Sequence, residues 1–430
     1  MARSRAKPSV VFMNRVYPPV RGASGRVLRD LAMGFAHDGW DVTILTTGNK
    51  EAREKDGPLK IMRVKAPLKG RTIHGYFKVW FKLLRAGRVM PAPDLLVTLT
   101  DPPLLVCAGA NIARKHKCKH IHWCHDLYPD IVPALKINMP DFALRFFKKR
   151  SVRAMKSCDK IVAIGRFMGR RLTHSGIEPP KVAVIPNWPD YELLDPPEPK
   201  KGRGVKKVKG ARPYDELLKG GNGPKFRVLY AGNMGRAHPI RTILMAAEKL
   251  SDKEADIEFV FIGDGHNYDR LAKERSKRGL DNIRFLPFQP LHNLRDVMQT
   301  GDLHLVTMRQ ESAGMMVPSK FYSALAVERP CVLLGPRKTE IAQVIDDYGC
   351  GDIVDQNDVD GLVDVIMAYR SDSEKWLRAY EGARKAGDIF VPDASIQAWL
   401  ERARDVINRP KISTRRRRKP VAKKTKRKVA

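Results

Sequence analysis

Short apolar runs alternate along this chain with stretches whose apolar residues recur every three to four positions. The first unit shows the pattern. Ser9–Met13 is a strand-like run, and a polar, glycine-bearing segment follows to Gly25. Val27, Leu28, Leu31, Ala32 and Phe35 then fall on one helical face. Asp38-Gly39 ends that helix, and Val42–Leu45 is the next strand. Ile61–Val64, Leu95–Leu99, His120–Trp123, Lys160–Ile164 and Ala183–Ile185 continue the series. Between Asp195 and Lys225 Pro, Gly and Lys dominate and the periodicity stops. It resumes with Phe226–Ala231, a helix over Ile240–Leu250, and strands at Ile257–Ile262, Ile283–Leu286, Leu303–Thr307 and Cys331–Leu334.

Buried strands alternating with helices predict an α/β protein, and the central break predicts two doubly wound, Rossmann-like domains. The boundaries are residues 1–194 and 225–389, with a basic linker or insertion over 195–224. Ile396, Trp399, Leu400, Ala403, Val406 and Ile407 predict an amphipathic helix within 390–408. A disordered basic tail is expected over 409–430.

Composition sharpens this. A chain of 430 residues with 43% hydrophobic content can build two real cores, which excludes a disordered protein. The formal net charge is +33. Eleven cations between Lys411 and Ala430 and six between Lys200 and Lys209, with no acid in either segment, supply about half of it. The rest is still strongly basic, which favours anionic partners: nucleotide diphosphates, anionic lipid or nucleic acid. The tail has no aromatic residue, so it suits non-specific polyanion binding better than base stacking. Six scattered cysteines without C-x-x-C spacing fit a reducing compartment. The longest apolar candidate for a membrane span, Leu95–Ala113, is interrupted by Asp101-Pro102-Pro103 and reads as strand, turn and helix. The expected location is cytoplasmic, with a peripheral place at the inner membrane face. Tyr76–Arg88 and Phe142–Lys156 interleave aromatics with Lys and Arg, as either a packed helix with a solvated cationic face or a membrane-interface helix does.

Three segments carry candidate chemistry. Tyr17–Arg26, with Gly22, and Gly232-Asn233-Met234-Gly235-Arg236 are glycine-bearing strand-to-helix junctions. Such junctions let a phosphate approach open helix amides. Neither is G-x-G-x-x-G or a P-loop, which weighs against dinucleotide and NTPase readings. The third segment is Pro318-Ser319-Lys320, where a cation opens a helix against the macrodipole preference. That placement makes sense if an anion sits beside it; a solvated lysine is the alternative. Lys117–Asp126 (K-C-K-H-I-H-W-C-H-D) looks metal-rich but lacks a recognised zinc spacing, so no metal is expected. His125 and Asp126 end that strand, where α/β ligands bind, and Asp126 is a candidate base; a core histidine and a capping aspartate are the alternative.

In order along residues 8–390, these segments resemble the retaining GT-B glycosyltransferases of family 4, in the branch used for bacterial surface polysaccharides. The resemblance rests on Tyr17-Pro18-Pro19 with Gly22, His125–Asp130, Val184–Trp188, Tyr230–Gly235, Phe261–Gly265, Gly301-Asp302-Leu303 and Val317–Lys320. It implies two domains facing a cleft and metal-independent transfer, without a cofactor, from a UDP, GDP or ADP sugar to a glycan or lipid-linked acceptor. The donor diphosphate would lie against Gly22, Gly235, Arg236, Ser319 and Lys320. Gly263, Gly265 and Ser323 would face the nucleotide and ribose, and His125 and Asp126 the acceptor. The pattern departs from the family in four places. Asn233 and His238 stand where an Arg and a Lys are usual, and Met315 and Ser323 where two glutamates are usual, with Glu311 near the first. A nucleotide-sugar epimerase would need acid/base carboxylates in the cleft, and no convincing set is visible. The non-enzymatic alternative is a basic module for polyanions or membranes.

Overall fold

A computed structural model describes residues 7–20, 22–66, 73–194, 225–235, 240–251 and 256–409. The 195–224 segment, Arg236, His238 and the chain after Arg409 lie outside the described residues, and with them the linker and tail expectations.

The first domain is built on β1 (Ser9–Met13), β2 (Asp41–Gly48), β3 (Ala52–Asp56), β4 (Leu59–Lys65), β5 (Leu95–Thr98), β6 (Lys119–Cys124), β7 (Lys160–Ala163) and β8 (Val182–Val184). They form one eight-stranded sheet in the order β3-β4-β2-β1-β5-β6-β7-β8. Every pairing is parallel except β3 with β4. Alternation along β1 splits the core between the two faces. Val10 and Phe12 join a cluster with Val27, Leu31 and Phe35 of α1 (Ala23–His37). Val11 and Met13 join one with Val79 and Leu83 of α2 (Ile73–Val89) and Ala108 and Ile112 of α3 (Leu105–His116). α4 (Asp141–Lys156) and α5 (Arg166–His174) complete the helices of this half.

The second domain holds β9 (Phe226–Asn233), β10 (Ile257–Asp264), β11 (Ile283–Leu286), β12 (Leu303–Thr307), β13 (Cys331–Leu334) and β14 (Gly351–Val354). Its six strands run parallel in the order β11-β10-β9-β12-β13-β14, which places the switch in winding direction between β9 and β12. The helices are α6 (Arg241–Ser251), α7 (His266–Arg278), α8 (Leu294–Gln299), α9 (Lys320–Ala326), α10 (Glu340–Tyr348), α11 (Val359–Ser371) and α12 (Ser373–Gly387).

The last helix, α13 (Pro392–Asn408), returns to the first domain. Trp399 is fully buried there, edge-on to Trp123 at 5.0 Å, and Trp123 stacks on Trp188 at 5.7 Å. Gly34 of α1 makes room for Ile396, since a Cβ there would meet its Cγ2 at 2.4 Å. Ser395 Oγ donates to the Pro186 carbonyl at 3.1 Å. The helix expected from the pattern is therefore part of the N-terminal core. Two strands escape the hydrophobic pattern. β3 reads A-R-E-K-D because it is an exposed antiparallel edge, and β14 is only G-D-I-V.

Candidate functional site

The second-domain half of the site forms where β9 and β10 end side by side. Gly232 pairs with Gly263 and Asn233 with Asp264. The φ angles at Gly232, Gly263 and Gly265 are +116°, +145° and +128°, a region L side chains rarely adopt. A Cβ at Gly263 would also lie 2.3 Å from the Gly232 carbonyl, and one at Gly265 2.4 Å from Asn233 Oδ1. The glycines are thus required by two backbones pressed together, and Gly265 becomes the N-cap of α7. Asn267 fixes the following turn, its Nδ2 donating to the Gly235 carbonyl at 2.9 Å.

Lys320 reaches across from α9 to this edge. Its ammonium lies 3.4 Å from the Asn233 carbonyl and 4.7 Å from the centre of the Tyr230 ring. Among the described residues it makes no ion pair, and burial pushes its pKa down to about 8. Ser319 is the N-cap of α9 but makes no side-chain capping bond, and Ser323 lies half-buried one turn further on. A half-buried cation held by a ring face and one carbonyl has donor capacity left for an anion. Gly22 caps α1 in an extended conformation, and a Cβ there would press on Val16 Cγ1 at 2.8 Å, so its small size serves packing of the loop.

In the first domain the chain leaves β6 into His125 and Asp126. His125 is buried against Trp123, with ring centres 4.5 Å apart, and its Nε2 has no hydrogen-bond partner. Burial, with a contribution from His122, lowers its pKa to about 3, so the ring is neutral. Burial, with the nearby Asp101 charge, raises Asp126 to about 7. Asp101 is itself held by Arg15 through two 2.7 Å bonds. A carboxyl group poised near neutrality suits proton transfer. Asp126 also borders a cavity about the size of one water, with His122, Tyr128 and Ser151 among its walls.

The metal-like run resolves into packing. His120 Nε2 and His122 Nδ1 share the Thr98 hydroxyl at 2.9 and 3.1 Å, and Cys158 Sγ lies 3.4 Å from His120 Nδ1. Among the described residues no three His, Cys, Asp or Glu side chains are grouped to hold a metal.

Several contacts bring the halves together, two of them close to the candidate residues or at a helix start. Leu127 N, next to Asp126, donates to the Met315 carbonyl at 2.8 Å, just before the Pro318-Ser319-Lys320 turn. Glu340, buried at the start of α10, accepts from the Arg166 amide at 2.5 Å and from Arg166 Nε at 2.9 Å. Its carboxylate therefore sits on the N-terminus of a helix in the other domain, where a negative charge is favoured. Sequence reasoning passed over Glu340 because Thr339-Glu340 reads as an ordinary helix start, which it also is: Thr339 Oγ1 accepts from Ala342 N at 3.3 Å.

The family models for "Glycosyltransferase Family 4" and "Glycosyl transferases group 1" match residues 24–193 and 219–386, one on each domain. The chain belongs to the GT-B glycosyltransferases. Among curated relatives it is 26% identical over 276 residues to the "Probable glycosyltransferase WbjE" of Pseudomonas aeruginosa, covering 64% of this chain and 65% of that one. It is 28% identical over 210 residues to the "Putative colanic acid biosynthesis glycosyl transferase WcaI" of Escherichia coli K12, covering 49% of each. The matched regions thus span about half to two thirds of those relatives. Among solved structures, sucrose-phosphate synthase from Thermosynechococcus elongatus superposes with a TM-score of 0.73 at 16% identity, over 93% of this chain and 99% of that one. Anabaena HepE, solved with UDP and glucose, gives 0.66 at 15% identity, over 93% and 100%. These two likenesses concern the GT-B fold.

Proposed function

We propose that this protein is a retaining glycosyltransferase that moves a sugar from a nucleotide-diphosphate donor, UDP-linked in the first instance, to a glycan or lipid-linked acceptor. The observation that carries the reading is Lys320. It is a half-buried cation without a carboxylate partner among the described residues, fixed at the tip of β9 beside the winding switch. When the sugar leaves, negative charge grows on the diphosphate, and a preorganised ammonium stabilises it. Ser319 and the backbone at Gly235 are further donors there, and Arg236 is proposed to join them.

Asp126 is proposed as the group that takes the acceptor proton, because its raised pKa keeps it within reach of both protonation states at neutral pH. His125, neutral and unpartnered at Nε2, is proposed to accept a hydrogen bond from a sugar hydroxyl as the cleft fills. UDP is favoured because HepE was solved with it. Retention and independence of metal rest on the resemblance of the ordered motifs to family 4.

Donor hydrolysis without acceptor, followed by proton NMR, tests the reading. The sugar should be released first as the anomer present in the donor. Release as the opposite anomer contradicts retention, and no release from any UDP, GDP or ADP sugar contradicts the transferase reading.

A further inference from the structure

Five of the ten large hydrophobic side chains exposed among the described residues lie on α2 and α4: Phe77, Phe81, Val89, Phe142 and Phe146. Both helices flank α3, so they form one layer on one side of the first domain. Phe77 and Phe147 bridge them with ring centres 6.3 Å apart. Phe81, Phe142 and Val89 keep 60%, 72% and 76% of their surface in solvent. An open groove there is lined by Phe81, Leu84 and Val89 together with Arg85, Arg88 and Lys115.

The charge around these side chains is mostly positive, although Lys148 of α4 pairs with Asp130. No residue of α2 is acidic, and on α4 only Asp141 is. Among the described residues the cations near the groove form no ion pair. Lys82 donates to the Lys65 carbonyl at 2.6 Å, Arg88 to Asn111 Oδ1 at 3.2 Å, and Lys115 to the Arg88 carbonyl. On α4 the Arg150 guanidinium lies 5.0 Å over the Phe146 ring.

Protein interfaces are depleted in lysine, which argues against a protein partner. Among the groove's lining residues only Phe81 offers a ring on which a nucleic-acid base could stack. Protruding phenylalanines within a field of Lys and Arg match the interface of a bilayer with anionic headgroups, where rings enter the acyl boundary and cations meet phosphates. We propose that the α2–α4 face is a docking surface for an anionic lipid bilayer.

The docked face adjoins the acceptor side of the cleft. Arg15, which holds Asp101 beside Asp126, lies 5.5 Å over the Tyr76 ring of α2, and Ser151 of α4 donates to the Tyr128 carbonyl at 3.1 Å. The bilayer would therefore present its own headgroups next to His125 and Asp126. If the transferase reading holds, on which this step alone rests, the acceptor is lipid-borne.

Flotation of the full-length chain at physiological salt tests the surface. The vesicles are phosphatidylcholine alone, or phosphatidylcholine with one third phosphatidylglycerol. The parent should float only with the anionic vesicles, and Phe81→Ser/Phe146→Ser should bind them at least tenfold more weakly. Both proteins should bind UDP equally, so a failure of nucleotide binding remains a separate result. In Phe81→Trp, brominated lipids should quench the added fluorescence. Unchanged flotation of the double variant would assign the binding to the basic segments outside these helices and overturn the proposal. So would a parent that does not float, or a double variant that loses affinity for single-stranded RNA as much as for vesicles.

Discussion

Replacing Lys320 by methionine should move ligand affinity and protein stability in opposite directions. The ammonium is half-buried and bonded to a single carbonyl, and burial lowers its pKa from 10.5 to about 8. Keeping it charged at pH 7 therefore costs up to about 3 kcal/mol, a cost present below pH 8 that fades as the pH rises towards 10.5. Methionine conserves most of the volume and removes that cost, so the melting temperature at pH 7 should rise by a few degrees. The gap to the parent should close as pH is raised above 8. A bound diphosphate supplies the counter-charge the site lacks, and a charge-assisted hydrogen bond of this kind contributes about 1.5–3 kcal/mol. UDP affinity should thus fall by roughly 10- to 150-fold in Lys320→Met. In the parent it should weaken progressively above pH 8, with proton uptake on binding. Titration calorimetry in buffers of different ionisation enthalpy reads affinity and proton uptake together, and thermal unfolding reads stability. A variant that loses stability while binding UDP within threefold of the parent would refute the reasoning.

Three further outcomes follow from other parts of the molecule. Asp126→Asn should lower transfer about 10²- to 10⁴-fold and leave UDP affinity within twofold; the parent's rate should climb with pH around the Asp126 value of about 7, and the variant's should not. Trp399→Ala should destabilise the first domain by about 3–5 kcal/mol, seen as early unfolding in a thermal melt, although Trp399 follows the second domain in sequence. Acid should destabilise the parent, because His120, His122, His125 and His304 are buried neutral with pKa values lowered from 6.5 to about 3, 4, 3 and 3. The unfolded chain binds protons at these rings first, so stability is fully present above pH 6.5 and is lost as pH falls towards 4. One unit below 6.5 each ring costs about 1.4 kcal/mol, which melting temperatures measured between pH 7 and 5.5 will register.

The two-domain architecture was legible because buried parallel strands are apolar on both faces and stand out between amphipathic helices. β1, β11, β12 and β13 fall where the runs lie. β3 was not legible, since its exposed edge selects charge rather than alternation. The amphipathic face of α13 was legible but its destination was not: periodicity shows that a face is buried and not against what, and the contact with Trp123 spans most of the chain. The site followed the same division. Lys320 is visible as a cation opening a helix, and Gly263 and Gly265 as glycines at a strand end. The Lys320 position over the β9 edge, and the raised Asp126 pKa, depend on tertiary neighbours such as Tyr230 and Asp101. Glu340 is the plainest case, where one carboxylate serves a local helix start and a helix of the other domain at once.

The central claim is a donor-diphosphate site at the β9–β10 edge beside Lys320. Calorimetric titration of the full-length protein with UDP, GDP, ADP and the matching monophosphates tests it most directly. The account predicts saturable binding of at least one diphosphate, markedly tighter than its monophosphate. Absence of binding to every diphosphate, or equal affinity for mono- and diphosphates, would contradict it.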